Sequence, residues 1–144
     1  MRPSQDEYFI RMAKLVSERS TCLSRQVGCI LINKRKHVIA TGYNGVASGF
    51  DHCTECSRKV PGTNLDSCLA IHAEQNALLQ CHDVYDIDTI YCTDSPCIHC
   101  LKLLMNTGCR RIVFIREYPH NNCEDLWVSL GREWVKYETI GHGY

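Results

Sequence analysis

The sequence has no long hydrophobic run. No apolar stretch in its 144 residues approaches the roughly 20 that a membrane-spanning helix needs. Residues 1–7 turn acidic at once and lack the apolar centre of a signal peptide. We therefore expect a cytoplasmic protein without a membrane partner. Repeats, low-complexity tracts and linkers are also missing from the pattern, so we predict a single domain over residues 1–144.

The sequence also lacks an excess of charge of either sign. Lys and Arg together number 16, as do Asp and Glu. A protein that follows a nucleic-acid backbone usually carries a basic excess, because phosphate contacts supply most of its affinity. The balance argues against a polynucleotide partner and leaves room for a local basic site that binds one phosphate.

Cysteine is the one residue type in clear surplus, with 11 in the chain. In a small secreted protein this number would indicate a disulfide framework. Here the count is odd and no secretion signal is evident, so metal ligation combined with buried thiols is the better interpretation. We expect Cys29, Cys92 and Cys109, which lie in or beside predicted strands, to be small core residues.

The order of patterns predicts an α/β fold. A capping box at Ser4 and Glu7 begins a helix expected to reach about Ser20. The remaining predicted elements are strands over 27–32 and 38–43, a long loop over 45–69, a helix from 72, a strand over 89–93, a helix over 97–106 closed by Gly108, a strand over 111–115, a helix over 123–130 ended by Gly131, and a strand over 134–140.

Alternating strands and helices in the second half indicate βαβ units with right-handed crossovers. The earlier hairpin would add an antiparallel edge to the same sheet. We therefore predict a three-layer α/β/α domain with a mixed sheet of about five strands.

Two short segments carry the chemistry of a zinc site. Cys97 and Cys100 have C-x-x-C spacing at a predicted helix start, where backbone amides favour thiolates. His72 begins another helix and could reach the same ion. Catalytic zinc typically has three protein ligands and an open fourth position for water.

Glu74 follows His72 by two residues, which would place its carboxylate beside that water as a general acid and base. The order H-x-E followed by P-C-x-x-C, completed here by Pro96, is the signature of zinc-dependent base deaminases, in which the glutamate is not a metal ligand.

Each segment alone has another interpretation. Cys97 and Cys100 could form a redox pair or half of a structural zinc site, and His72 could simply begin its helix. A thiol–disulfide oxidoreductase would leave His72 and Glu74 unexplained. A zinc-stabilised binding module would need the ligands alone, whereas Glu74 is present where no ligand is required.

The sequence resembles the cytidine/deoxycytidylate deaminase superfamily, and in particular its deoxycytidylate (dCMP) deaminases. The segments that carry the resemblance are Arg19–Cys22, Gln26–Gly28, Thr41–Gly45, His72–Ala77 and Ser95–Cys100. The resemblance implies conversion of dCMP to dUMP and ammonia, with zinc on His72, Cys97 and Cys100 and with Glu74 as proton shuttle. A deaminase of dCTP, modified dCMP, tRNA or single-stranded polynucleotide is the alternative within the superfamily.

The resemblance also implies roles for residues around the substrate. Asn44 would hydrogen-bond the sugar, and the Ala73 amide and Ser95 carbonyl would contact the cytosine edge. Tyr118 would lie near the sugar and phosphate. Ser24 and Arg25 are the basic and polar residues expected at the 5′-phosphate.

Regulation and assembly are implied in the same way. Relatives are typically homo-hexamers, activated by dCTP and inhibited by dTTP with Mg²⁺. The allosteric nucleotide site would include Gly42, Tyr43, Asn44 and Gly45. Without the zinc motif, Gly42, Asn44 and Gly45 could equally serve a turn at the end of the hairpin.

A second C-x-x-C, at Cys53 and Cys56, lies in the long predicted loop. Some relatives hold a structural zinc with cysteines at such positions, and four thiolates would close a tetrahedral site. The ligands expected here are Cys22, Cys53, Cys56 and Cys68, with His52 as a substitute for one of them. Free, partly buried thiols are the alternative.

Overall fold

The structure, a computed structural model, describes residues 1–22, 24–51, 69–119 and 122–138. Its helices are α1 (Gln5–Ser17), α2 (Ala73–Gln80), α3 (Ile98–Met105) and α4 (Cys123–Ser129). Its strands are β1 (Gly28–Asn33), β2 (Val38–Tyr43), β3 (Gly45–Val46), β4 (Ala70–Ile71), β5 (Ile87–Asp94), β6 (Arg111–Arg116) and β7 (Glu133–Lys136). Within the described ranges, no helix is long and apolar enough to cross a membrane.

The main sheet has five strands in the order β2-β1-β5-β6-β7. Strand β1 is antiparallel to both β2 and β5, whereas β5, β6 and β7 run parallel. The helices α3 and α4 make the crossovers between the parallel strands, as the alternating pattern predicts. The predicted mixed sheet with an antiparallel hairpin at one edge is therefore confirmed.

Helices cover both faces of this sheet. One core cluster joins Phe9, Ile10 and Ala13 of α1 to buried side chains of the inner strands. The other cluster joins the opposite face to α2, α3 and α4, with Ala77, Leu104 and Trp127 among the buried contacts. Cys29, Cys92 and Cys109 are fully buried, as expected for small core residues. The three-layer α/β/α arrangement is confirmed.

Two predicted helix ends are wrong. Helix α1 stops at Ser17, where the Ser17 hydroxyl donates to the Lys14 carbonyl (2.6 Å). Helix α3 ends at Met105 with Asn106 as its C-cap, so Gly108 does not close it. A Cβ at Gly108 would collide with the Tyr85 carbonyl, which shows that close packing explains this glycine.

Gly131 does end α4 as predicted. Its φ is +75°, a left-handed conformation that favours glycine, and its amide donates to the Val128 carbonyl at 2.9 Å. The last strand, β7, begins one residue before the predicted Trp134 and ends at Lys136. The predicted continuation to Ile140 runs partly outside the described residues.

The segment that follows β2 continues in an extended conformation. Gly45 pairs with Ile71, and Val46 pairs with Ala70, in a short two-stranded sheet that the predicted loop over 45–69 did not include. The alternative in which Gly42 and Gly45 permit a turn is therefore wrong for Gly42, which lies inside β2. A Cβ there would collide with the Ala73 carbonyl and the Ala77 amide, so Gly42 lets α2 pack directly on the strand.

Candidate active site

One edge of the sheet collects the side chains that the motifs singled out. Because β1 is antiparallel to β2 and β5, the start of β1 lies beside the ends of β2, β5 and β6. Ligands bind at the carboxyl ends of strands in open α/β sheets. A cavity opens there, and its lining residues include Ser24, Arg25, Asn44, His72, Ala73, Glu74, Asp94, Ser95, Cys97 and Tyr118.

His72, Cys97 and Cys100 meet at this edge. His72 Nδ1 lies 3.3 Å from Cys100 Sγ and 3.4 Å from Cys97 Sγ. The three ligand atoms all lie within 4.8 Å of one another, and both thiols are buried. Tetrahedral zinc would separate nitrogen and sulfur ligands by about 3.6 Å, given its ordinary bond lengths. The donor set and its spacing therefore fit a zinc ion.

Local sequence fixes two of these ligands at helix starts. His72 is the N-cap of α2, and its amide donates to Gln75 Oε1 at 2.9 Å, half of a capping box. Cys97 is the N-cap of α3, directly after Pro96. One turn later, Cys100 lies on the same side of α3, as C-x-x-C spacing requires.

Without a cation, the two thiols differ sharply in acidity. The hydrogen bond from Cys100, followed by the contact with His72, outweighs burial and lowers the pKa of Cys97 to about 3. The same Cys97–Cys100 hydrogen bond, together with burial, raises the pKa of Cys100. The pair thus holds one thiolate readily, and a cation at the site would deprotonate the second thiol.

Glu74 lies in the first turn of α2, and only 4% of its surface is exposed. Burial, followed by the charge of Cys97, raises its pKa to about 7. A carboxyl group with a pKa near neutrality can both accept and release a proton, which is what a general acid and base must do.

Asn44 lies between β2 and β3 and ties the start of β1 to this edge. Its Oδ1 accepts hydrogen bonds from the Val27 amide (2.9 Å) and the Ser20 hydroxyl (2.5 Å). Its Nδ2 donates one hydrogen to the Arg25 carbonyl at 2.8 Å. The Asn44 side chain therefore holds the backbone of the segment that carries Arg25.

Ala73, Ser95 and Tyr118 line the cavity. Ala73 is the first residue of α2, where backbone amides have no partner within the helix. Ser95 Oγ accepts a hydrogen bond from the Tyr118 amide at 2.6 Å, and the Ser95 amide donates to the Arg116 carbonyl at 2.9 Å. These bonds join the segments that leave β5 and β6.

Two charged residues at this edge were not predicted from the sequence. Asp94 ends β5, is 3% exposed, and lies 3.1 Å from Arg25 Nη1 and 2.8 Å from Arg116 Nε. Arg116 ends β6 directly opposite Asp94 in the register. A charged residue closing an otherwise buried strand was the available signal, since the ends of parallel strands share one edge.

The proposed structural zinc site falls mostly outside the described residues. His52, Cys53, Cys56 and Cys68 all lie there. Cys22 is described, lines the cavity, and has its sulfur 3.7 Å from Ser24 Oγ.

The segment Gly42–Gly45, expected to bind an allosteric nucleotide, runs from β2 through Asn44 into β3. The Tyr43 side chain is exposed, and the Tyr43 carbonyl accepts a hydrogen bond from Asn76 Nδ2 of α2 at 2.8 Å.

A sequence model described as the cytidine and deoxycytidylate deaminase zinc-binding region matches residues 3–116. The chain therefore belongs to the cytidine and deoxycytidylate deaminase family. It is similar to the deoxycytidylate deaminase of Mycobacterium phage D29, with 39% identity over 127 residues that cover 81% of this chain and 98% of the phage protein.

The deoxycytidylate deaminase of Schizosaccharomyces pombe is 41% identical over 125 residues, covering 81% of this chain and 38% of that protein. The chain thus spans about two fifths of the length of this yeast relative and of its Saccharomyces cerevisiae counterpart, of which it covers 39%.

Among solved structures, the dCMP deaminase of cyanophage S-TIM5 in complex with dCMP and dUMP superposes with a TM-score of 0.78 at 31% identity, covering 95% of this chain and 99% of that chain. Cytidine deaminase from Burkholderia pseudomallei shares the fold, with a TM-score of 0.52 at 16% identity over 83% of this chain and 94% of the other.

Proposed function

We propose that this chain catalyses the zinc-dependent hydrolysis of dCMP to dUMP and ammonia. The observation that carries the proposal is the meeting of His72, Cys97 and Cys100 beside a buried Glu74 in one cavity. Relatives named deoxycytidylate deaminases and the similar phage structure with dCMP and dUMP support the choice of substrate.

The zinc ligands would be His72 Nδ1, Cys97 Sγ and Cys100 Sγ. Zinc held there supplies Lewis acidity that brings the pKa of water towards about 7. The remaining proton chemistry belongs to Glu74. Its carboxylate takes the first proton from the attacking water and passes it to the ring nitrogen. It then takes the second proton from the hydroxyl now on the carbon and delivers it to the departing amine, so that the carbon–nitrogen bond breaks, ammonia leaves and the hydroxyl becomes a carbonyl.

Orientation of the base would fall to backbone groups. The Ala73 amide would donate to the cytosine edge, and the Ser95 carbonyl would accept from it; both residues line the cavity beside Glu74. Asn44 Nδ2 carries two hydrogens, one of which is donated to Arg25, and the other would contact the sugar.

Arg25 is the basic residue of the cavity lining, and its guanidinium lies 5.2 Å from the centre of the Tyr118 ring. The 5′-phosphate would bind there, with the Ser24 hydroxyl as a second donor. A guanidinium suits this role because its N–H groups are arranged for phosphate oxygens.

The test is turnover of dCMP, followed by the ultraviolet change from cytosine to uracil, in the wild type and in Glu74→Gln. We expect the substitution to lower kcat by at least about 1,000-fold, near the upper range for general acid–base catalysis, while zinc content and fold are unchanged. Comparison substrates are cytidine, dCTP and a short oligonucleotide.

Turnover of only a comparison substrate would place the chain elsewhere in its family. Absence of turnover of all of them by zinc-loaded wild type would contradict the proposal and favour a zinc-binding module. A Glu74→Gln enzyme with full activity would contradict the assigned proton shuttle.

Regulation by nucleoside triphosphates is part of the proposal, with dCTP as activator and dTTP, together with Mg²⁺, as inhibitor. A nucleotide at Gly42–Gly45 would touch the residues on either side of Asn44, which holds the backbone of Arg25. Such a site is expected in a homo-hexamer. The test is the dependence of rate on dCMP concentration with each triphosphate, together with the mass in solution; unchanged curves would contradict the regulation alone.

The proposal also includes a structural zinc. Its ligands would be Cys22, Cys53, Cys56 and Cys68, with His52 as a substitute for one of them. A cytoplasmic location is proposed as well. Metal analysis decides the second zinc: two ions per chain would support it, and one would contradict it.

A further inference from the structure

The buried carboxylate of Asp94 has no evident part in the chemistry just described. It lies at the end of β5, three residues before Cys97, and its side chain is 4% exposed. Within the part of the chain that the structure describes, neither of its oxygens has a partner in hydrogen-bond geometry, although two arginines are close. Leaving a buried carboxylate without aligned donors is costly, so its retention at a cavity edge calls for a reason.

The two neighbouring arginines are held differently. Arg116 lies beside Asp94 on the adjacent parallel strand, with 2.8 Å between its Nε and Asp94 Oδ1, and its side chain is 60% exposed. Arg25 approaches from the segment before β1, with 3.1 Å between its Nη1 and Asp94 Oδ2, and its side chain is 29% exposed. Asp94 is therefore close to both guanidiniums, one at each of its two oxygens.

Geometry limits what Asp94 can do itself. Both of its oxygens, and Arg25 Nη1, are inaccessible to solvent. A ligand in the cavity would thus meet the outer part of the Arg25 guanidinium and not the carboxylate. On its other side that guanidinium lies against the Tyr118 ring, 5.2 Å from the ring centre.

Charge favours an anion at this position. Two guanidiniums and one carboxylate leave one net positive charge, and Ser24 also lines the cavity. The carboxylate also removes the freedom of a long side chain, which otherwise lowers the affinity of an arginine for its ligand.

We infer that Asp94 is a positioning residue that fixes Arg25 against Tyr118, so that the guanidinium is preorganised for the 5′-phosphate and the enzyme prefers deoxycytidine monophosphate to unphosphorylated deoxycytidine. The inference rests on the proposed function and assigns the origin of its preference for a monophosphate. Arg25 touches the ligand, and Asp94 acts through Arg25.

The experiment compares dCMP with deoxycytidine in the wild type, Asp94→Asn, Arg25→Gln and the double variant. We expect Asp94→Asn to raise KM for dCMP about 10-fold, the equivalent of one lost charge-assisted contact. The kcat for dCMP and the kcat/KM for deoxycytidine should change less than about 2-fold. In the Arg25→Gln background the Asp94 substitution should have no further effect on KM, because the side chain through which it acts is gone.

Asp88→Asn is the matched control, since Asp88 is an equally buried aspartate near the other end of β5. We expect Asp88→Asn to leave the ratio of kcat/KM for dCMP to kcat/KM for deoxycytidine unchanged. Arg116→Gln changes a side chain that is 60% exposed, and it should raise KM for dCMP about 3-fold by removing one of the two guanidiniums beside Asp94. Binding of dUMP and of deoxyuridine, measured by calorimetry, gives the same comparison without turnover.

An equal loss of activity on both substrates, or additive effects of the Asp94 and Arg25 substitutions, would overturn this inference and leave the proposed function intact. If Asp94→Asn does not fold, an unchanged substrate ratio in Arg116→Gln overturns it. Wild-type enzyme without dCMP turnover would overturn the proposed function, and this inference with it.

Discussion

Strand β5 carries a buried aspartate near each end, and the two carboxylates differ in the hydrogen bonds that they accept. Asp88 is 2% exposed; its Oδ2 accepts from the Thr89 hydroxyl and its Oδ1 from Arg110 Nε, both at 2.8 Å. Asp94 is 3% exposed and lies near two arginines without an aligned donor from the described residues. Residue type, strand and exposed fraction are thus matched, whereas the hydrogen bonds and the number of paired arginines differ.

The pKa shifts of the two carboxyl groups have opposite signs. Burial raises the pKa of Asp88, but the hydrogen bonds from Thr89 and Arg110 outweigh it and hold the pKa below its usual range. Burial also raises the pKa of Asp94, and there the charges of Arg116 and Arg25 do not compensate. The ionised Asp88 carboxylate, distant from the cavity, therefore stabilises the folded state, whereas the ionised Asp94 carboxylate, beside the cavity, lowers the stability of the folded state. Residues at functional sites are commonly destabilising in this way.

The test with the largest expected effect compares two cysteines at opposite edges of the sheet. Cys97 lies at the cavity edge, and Cys109 lies at the other edge, with its thiol donating to the Arg111 carbonyl at 3.4 Å. We expect Cys97→Ser to lose the catalytic zinc and to reduce dCMP turnover by more than about 100-fold. The loss should be larger than the roughly 10–100-fold that follows when a residue hydrogen-bonded to a metal ligand is changed, because here the ligand itself is removed. Zinc per chain and dCMP turnover are the measurements.

Cys109→Ser is the control, because a serine hydroxyl can donate to the same carbonyl. It should keep its zinc and its turnover. Equal zinc loss in both variants would mean that the edge at Cys97 is not the metal centre.

The second test compares Asp88→Asn with Asp94→Asn in stability. Asp88→Asn should lower the free energy of unfolding at pH 7 by about 1–3 kcal/mol, because it removes an acceptor of charge-assisted bonds. Asp94→Asn should change it by less than about 1 kcal/mol, since a carboxylate with a raised pKa is not stabilised in the folded state relative to the unfolded one.

The pH dependence has opposite signs at the two positions. The contribution of Asp88 is present above its unfolded pKa of 3.8 and is lost as the pH falls through its lower folded value. The ionised Asp94 carries a cost that sets in as the pH rises from 3.8 through its raised folded value. Urea unfolding at pH 7 and about pH 4 measures the cost at Asp94, and unfolding at about pH 4 and about pH 2 measures the contribution of Asp88. Identical profiles for the two variants would contradict the comparison.

The smallest test concerns Asp6, which links α1 to the sheet distant from the cavity. Its carboxylate accepts two bonds from Arg111, at 2.8 and 2.9 Å, and one from the Tyr91 hydroxyl at 2.6 Å. The hydrogen bond from Arg111 outweighs burial and lowers the pKa of Asp6 below 3.8. Asp6→Asn should therefore cost about 1 kcal/mol of unfolding free energy at pH 7.

This difference should disappear as the pH falls below the folded pKa of Asp6, because the wild-type carboxyl group is then protonated. The exposed residue Glu18 at the end of α1 provides Glu18→Gln as control, expected to change stability by less than about 0.5 kcal/mol. A difference for Asp6→Asn that persists undiminished at low pH would show that packing, not charge, explains its effect.

Most of the fold was predictable because its signals are local. The capping box at Ser4, the β-favouring runs and Gly131 each act within a few residues, and the structure has the corresponding helix start, strands and helix end. Prediction failed where distant backbone decides the outcome. Gly108 and Gly42 are required by the approach of segments far along the chain, and periodicity does not record such an approach.

Pairing of short strands is a similar case. Val46 and Ala70 are 24 positions apart, and nothing in either dipeptide indicates its partner. The sequence therefore predicts a loop between β2 and α2, whereas the structure closes its two ends into a small sheet.

At the site, the sequence by itself determined the chemistry. Imidazole, two thiolates at C-x-x-C spacing and a carboxylate two residues from the imidazole are the groups that a zinc-dependent deaminase requires, and their helix-start positions follow from local capping and proline signals. Only the tertiary structure decided that Asn44 holds Arg25 and that Asp94 lies between two arginines. The physical reason is the order and direction of the strands. Because β1 runs antiparallel to β5, and β5 runs parallel to β6, the start of β1 and the ends of β5 and β6 lie at one edge of the sheet, and no short segment of sequence encodes this arrangement.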